Sequence, residues 1–586
     1  MIETNNQKAK NMKLSYVFVR KNWHLFTAGF LGIIAFLCIF SPEPLRVTGI
    51  GWTLYGYDNS DITQHQTGWM FYRNSPWSFP LFKALNLGYP EGTSITYMDS
   101  IPLAAFLFKI ISPILPQKFQ YFGIYTCLCF LLQGVFASAL LYTFTQNKLF
   151  SCIGSIIFIF SSGFLERCFR HTALSSYWLL LAGLYLYFTR KKNTTNHHYH
   201  FLWSMLLIIA LGIHPYLFAM DYALFFFSEV DCITQKHELK KNLLRFFICT
   251  LTIVLVGFIF GIFGNTVKSD SGYGIYSLNL NSLFNPEDKY HNKWSSFLQN
   301  RPLYNSQGDG LYYLGFPLII TFIVSFFIIL LTNPKFIKKT IQFYYQIIIL
   351  LLLLTIFALS NIITFDNKVI LYIPISNRLV ELFNIFRTSE RFFLIPYYCI
   401  MLTSLVCLYK IFQSHKWIAI ILCTIIMILQ IVEIRPGLKD LHYNFETRKI
   451  GIRFSEEWNN LSKKYKTAYA FDNFYNSDFS FWLAHNRFRT NIAVTSDIHR
   501  KAYWERTYND RKNLKLSLQN GTLKLDPQTI YIIDADSKEY KFIETEEDLL
   551  NFLNLVRNNY SSTADLRYLS YEKNNKNFSF WILCPH

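Results

Sequence analysis

The chain has 586 residues, of which 52% are hydrophobic and only 16% charged, against the roughly 25% charge of soluble domains. Its apolar residues are gathered in blocks near the ~20 residues that cross a bilayer, which excludes a string of ordinary soluble domains. The formal net charge of +18 comes mainly from Lys and Arg in short loops between those blocks. That is the distribution of a membrane protein with its basic loops inside, not of a nucleic-acid surface, and no zinc-finger spacing, P-loop or helix-turn-helix signal occurs.

In chain order, Lys8, Lys10, Lys13, Arg20 and Lys21 precede an apolar block at 25–41. The SPEPLRVTG that follows has no A-x-A-like cleavage site, so the block reads as an uncleaved first span. Ten further spans are expected at 119–144, 149–163, 175–189, 201–213, 215–228, 244–264, 311–332, 343–360, 393–412 and 417–434. The 201–228 stretch contains Gly212 and Pro215 and reads as two short helices or one broken one, a break tolerated where helices line a cavity. The stretch 101–115, with Lys109 and Pro113 in it, reads as an interfacial helix. If it spanned, every later loop would change sides.

Eleven spans put all the basic loops on one side, taken as cytoplasmic: the N-terminus, Arg190 to Lys192, Lys236 to Arg245, Lys335 to Lys339 and Lys410 to Lys416. Three long loops, 42–118, 265–310 and 361–392, and the tail from 435 then face outside. The tail reads as a small α/β domain, with β-rich runs at 467–471, 529–533 and 578–583 and a helix at 547–557. Seven of the eleven cysteines, among them Cys127 and Cys129, lie inside apolar blocks, where Cys acts as a small hydrophobe and no disulfide framework is implied.

Two constellations could carry chemistry. The stretch YGYDNSDITQHQTGWMFYR (55–73) gathers Asp58, Asp61, His65, Trp69 and Arg73, with Asp99 further on. If 60–72 is helical, Asp61, His65 and Trp69 share one face at i, i+4 and i+8. Carboxylates at the mouth of a helical bundle suit general-base work or cation binding, and the bland alternative is a solvated loop with an N-capping Ser60 or Asp61. The stretch FRTSER (386–391) places Arg387 and Arg391 at i, i+4, where two guanidiniums can grip a phosphate. The alternatives there are interfacial anchoring or an ion pair with Glu390. His214 before Pro215 reads as a substrate contact or as the cap of a broken helix. Asp221, Glu166, Arg167, Arg170 and His171 are further ionisable groups near membrane depth. The tail offers no nucleophile–base set.

The whole pattern resembles the GT-C superfamily of integral-membrane glycosyltransferases, and more closely an uncharacterised bacterial multi-pass membrane family near it. The resemblance is carried by DITQHQTGWMFYR (61–73), YMDSIPLAAFLFK (97–109), FQYFGIY (119–125), LNSLFNP (280–286), GDGLYYLG (308–315) and FRTSERF (386–392), with a weaker match at FRTNIAV (488–494). It implies a polytopic α-helical fold of about eleven transmembrane helices with a C-terminal α/β domain. It also implies inverting transfer of a sugar from a polyprenyl-phosphate donor to a glycan or lipid acceptor on the outer face of a bacterial inner membrane. Asp61, with Asp58 second, would take the acceptor's proton. Arg387 and Arg391 would hold the donor phosphate, and His65, Trp69, Arg73, Asp99 and His214 would contact substrate. Asp58 and Asp61 are three apart and form no D-x-D, which leaves a Mg or Mn cofactor open, and Glu390 stands where a small residue is expected between the arginines. A glycan ligase, or a non-enzymatic transporter or assembly partner in envelope glycan biogenesis, are the alternative readings.

Overall fold

A computed structural model of the protein describes every residue except 1, 55–60, 193–197, 235–238, 263–271, 306, 448–451, 471–476, 492–499, 535–544, 574 and 575. Asp58 therefore lies outside the described residues. The chain is mostly helical up to Thr447 and then builds a six-stranded sheet. Each apolar block of the sequence becomes a helix. Five of these helices, within Arg20–Phe40, Phe122–Thr145, Leu239–Phe260, Ser389–Ile411 and Lys416–Glu433, are long and apolar enough to cross a membrane. A sixth arises if Phe316–Thr332 and Pro334–Phe343, bent by 106°, count as one span. Against the expected eleven spans, the described residues thus hold five or six by length and composition. Lys148–Ile159, Tyr199–Ile213 and Tyr345–Leu359 are apolar but shorter, because polar or helix-breaking residues cut their ends.

The 201–228 stretch is two helices, Tyr199–Ile213 and Pro215–Thr234, broken at His214. Pro215 takes the first helical position, where its missing N–H costs nothing. The 101–115 stretch holds a nine-residue helix, Pro102–Ile110, about 14 Å long at 1.5 Å per residue and too short to cross. Lys109 is buried there, its ammonium 4.1 Å from the Tyr72 ring centroid and 4.7 Å from that of Trp77.

Small residues let the first helix and Phe122–Thr145 meet backbone to backbone. A Cβ on Gly32 would fall 2.2 Å from the Phe130 carbonyl oxygen, and one on Gly134 would fall 2.4 Å from that of Ala28. Ala28 and Gly32 on one helix thus face Phe130 and Gly134 on the other, a reciprocal small-residue crossing.

In the tail sheet, Ile452–Phe454, Ala564–Lys573, Lys576–Pro585 and Thr529–Asp534 pair antiparallel in that spatial order. Thr467–Ala470 and Arg489–Thr490 then continue it in parallel. The three β-rich runs and the helix, Glu546–Tyr560, stand where the sequence places them. The tail is clamped to the first long loop. Thr490 donates its N–H to Asn86 O and accepts from Tyr89 N–H, the Asn74 side chain donates to Ala484 O, and helix Ser477–His485 packs on helix Asp61–Asn74.

Candidate functional site

Asp61 opens a fourteen-residue helix, Asp61–Asn74, the position at which a carboxylate favours the helix dipole. The expected face is therefore real, and it splits by depth. Trp69 is fully buried, donating its indole N–H to Phe119 O and stacking edge-on against Tyr121. Arg73, at the far end of the helix, spends its guanidinium on Ser112, Leu115, Pro116 and Gln117, so it fastens the loop before Phe119. Burial lowers His65 to about 3, and its ring nitrogens have no hydrogen-bond partner among the described residues.

Asp61 itself reaches out of this helix to His171. His171 Nδ1 lies 2.7 Å from Asp61 Oδ2, and His171 Nε2 lies 3.3 Å from Lys289 Nζ. A carboxylate accepts, so Nδ1 carries a proton and donates it to Asp61. Burial pushes the Asp61 carboxyl up, but His171 beside it outweighs burial and holds it at about 2. His171 acts first through its charge and then through this hydrogen bond, while 39% of the Asp61 side chain stays open.

Behind His171 sits Asp309, the hub of the site. Its carboxylate accepts from Lys289 Nζ at 2.8 Å, Arg167 Nη2 at 3.0 Å, and Arg391 Nε and Nη2 at 3.1 and 2.8 Å. Burial opposes ionisation there, but Arg167 and Lys289 with Arg391 keep the carboxyl well below the usual range. Arg167 is 3.4 Å from Glu166, and Arg170 bridges Glu166 and Asp288 at 3.0 and 3.1 Å. Opposite charges therefore alternate through the buried cluster, as buried charges must.

Two glutamates hold the loop that delivers Asp309. Glu390 turns away from the two arginines and accepts from the backbone N–H groups of Gly308 and Gly310, at 3.3 and 2.6 Å. Gly308 has φ +84°, a conformation that glycine adopts freely. Glu433, at the end of the last apolar helix, accepts from Tyr313 OH, Ser295 Oγ and Phe297 N–H. The alternative of a Glu390–Arg ion pair gives way to Asp309, which takes Arg391 instead. Arg387 lies over the Tyr276 ring, 5.2 Å from its centroid.

Asp99 completes the site from the far end of the first long loop. Its Oδ1 is 3.6 Å from His214 Nε2, and it feels His171, Asp61, Arg391 and Arg387 electrostatically. Burial raises its carboxyl to about 6, while 25% of the side chain remains open. Its backbone is held by Ser100, which donates its hydroxyl to His65 O at 2.8 Å and accepts from Tyr121 OH. Asp99 and Ile101 both have positive φ, +49° and +51°. Asp tolerates that region, but a β-branched residue there is strained, and such strain collects at functional positions.

The sequence-based candidates Asp61, His65, Asp99, His214, Arg387 and Arg391 thus come together, while Trp69 and Arg73 belong to the packing of their helix. Asp221, one of the ionisable groups near membrane depth, is fully buried, with neither carboxylate oxygen partnered among the described residues. Lys289 and Asp309 were not legible as site residues. Asp309 lies between two glycines in GDGLYYLG, and only that spacing hinted at a constrained acidic turn. Among the described residues no group of three or more His, Cys, Asp or Glu side chains is placed to hold a metal ion.

Fold and site together define a helical membrane protein with a largely buried cluster of charges around Asp309 and a small α/β domain packed on the helix that begins at Asp61. A family model described as "Domain of unknown function (DUF6311)" matches residues 29–435. The chain belongs to that family, and the match ends where the apolar helices end. No curated protein matches the chain.

Proposed function

We propose that the protein is a membrane glycosyltransferase that moves a sugar from a polyprenyl-phosphate donor to a glycan or lipid acceptor of the cell envelope. The observation that carries this reading is the Asp61–His171–Asp309 series flanked by Lys289, Arg391 and Asp99. It sets carboxylates able to take a proton beside cations able to receive a phosphate, where apolar helices meet polar loops. In the proposed reaction the acceptor hydroxyl oxygen bonds to the anomeric carbon. The bond from that carbon to the phosphate oxygen breaks, and the polyprenyl phosphate leaves with the electron pair. The hydroxyl proton passes to Asp61. Arg387 and Arg391 offset charge developing on the leaving phosphate. Sugar and acceptor are named here as classes.

The resemblance to GT-C enzymes supports the same reading. The test is transfer from a radiolabelled polyprenyl-phosphate sugar by purified protein. Asp61→Asn is expected to lower the rate by about 10²–10⁴-fold with the protein still folded. Full activity in that variant would remove Asp61 from the chemistry. A product ladder in place of a single sugar increment would indicate a ligase.

A further inference from the structure

Two residues beyond the end of helix Tyr345–Leu359 the chain forms a hairpin, Ile362–Phe365 paired with Lys368–Tyr372. The inner strand is tied to the protein: Leu280 N–H donates to Thr364 O, and the Thr364 hydroxyl donates to Gln307 at 2.9 Å. The turn is also fixed, because the Asp366 carboxylate accepts from Arg301 Nε at 2.8 Å and Asn281 Nδ2 at 2.7 Å. The outer strand has the opposite character. All its residues are exposed on both faces, and they read Lys-Val-Ile-Leu-Tyr, with Ile373 beyond. Ile370 and Tyr372 are each 60% exposed. Leu382 and Ile385, just downstream, are exposed as well.

A rigid, doubly exposed apolar edge strand is a hazard in water. Its position says what covers it. Helix Tyr345–Leu359 presents an apolar stripe, Ile349, Leu352, Leu353 and Ile356, to its surroundings. Two residues reach no more than about 7 Å, so the hairpin continues that lipid-facing stripe. Downstream the chain re-enters an apolar helix at Ser389–Ile411. The unpaired backbone row of the outer strand forbids the hydrocarbon core but suits the headgroup boundary, where water still reaches it. Lys368 at the turn and Arg378 beyond the strand supply cations facing anionic headgroups.

We infer that the 362–373 hairpin is an interfacial anchor, with Val369 to Ile373 lying among the headgroups and upper acyl chains of the leaflet on the Asp309 side. Through Gln307, Asn281 and Arg301 this anchor is joined to the loop that carries Lys289 and Asp309, so it fixes the depth of the site relative to the lipid surface. The inference is independent of the transferase reading.

The test uses full-length protein in nanodiscs of phosphatidylethanolamine and phosphatidylglycerol, with p-benzoylphenylalanine placed singly at Ile370, Tyr372, Leu352 and Leu550. Position 372 replaces one aromatic ring by another and keeps the strand if position 370 disturbs it. After illumination, lipid adducts are expected by mass spectrometry at 370 and 372, as at the helix position 352, and none at 550 on the tail. Absence of adducts at both hairpin positions while 352 reacts would overturn the anchor. So would a crosslinked dimer in place of lipid adducts, because it would show that a second copy covers the strand.

Discussion

Asp61 and Asp99 lie close enough to feel one another yet differ in acidity, and each shift has a physical cause behind it. His171 donates to Asp61 and holds it near 2, whereas burial without a comparably close donor raises Asp99 to about 6. A general base works best with a pKa near the working pH, so the two can be separated by titration. If Asp61 takes the proton, the transfer rate stays flat from pH 5 to 8. An acid limb near pH 6 that disappears in Asp99→Asn would instead give Asp99 that role. Stability carries the same signature with the sign fixed by linkage. Asp99 binds its proton more tightly folded than unfolded, so it costs stability as pH rises from its ordinary 3.8 to about 6. Asp99→Asn is therefore expected to raise the melting temperature at pH 7, by on the order of 1–3 kcal/mol of stability, and to leave it unchanged at pH 4. Asp61 behaves in reverse: its contribution is present above 3.8 and is lost as pH falls toward 2. Arg387→Ala tests phosphate binding: it should weaken polyprenyl-phosphate affinity in a direct binding assay.

At the level of elements, the crossing of the first helix with Phe122–Thr145 has no room for a side chain at Gly32 or Gly134. Gly134→Leu should separate the two backbones and cost several kcal/mol, since overpacking alone costs about 1–3; thermal unfolding in detergent measures it, and Ala139→Leu serves as a control. The Asp61–Asn74 helix was legible because its polar residues repeat at helical spacing. The roles of Trp69 and Arg73 were not, because nothing in 61–73 tells an outward face from one covered by Phe119 and the 112–117 loop. The same applies to span count. Apolar blocks foretold helices correctly, but the length of each helix depended on breaks at His214, Asn333 and Tyr344.

For the whole molecule, the tail domain and the site form one assembly. Edge residues Arg489–Thr490 meet the 86–89 segment, and helix Ser477–His485 covers the helix that begins at Asp61. Thr490→Pro removes the N–H given to Asn86 O and should loosen the tail, seen as faster proteolytic release of the C-terminal fragment. Alkaline phosphatase fused after His586 is expected to be active only if the tail lies outside, so an inactive fusion with an active cytoplasmic reporter would reverse the assigned orientation.

The sequence by itself determined the helical membrane class, the strands of the tail and the choice of Asp61, Asp99, Arg387 and Arg391 as chemically notable. Hydrophobic periodicity and block length are local properties, so they can be read locally. Only the tertiary structure decided that His171 orients Asp61, that Asp309 rather than Glu390 neutralises Arg391, and that Lys289 enters the site. The longest of those pairings, His171 with Asp61, joins residues 110 positions apart. They arise because charges removed from water must find partners wherever the packed helices and loops bring them together.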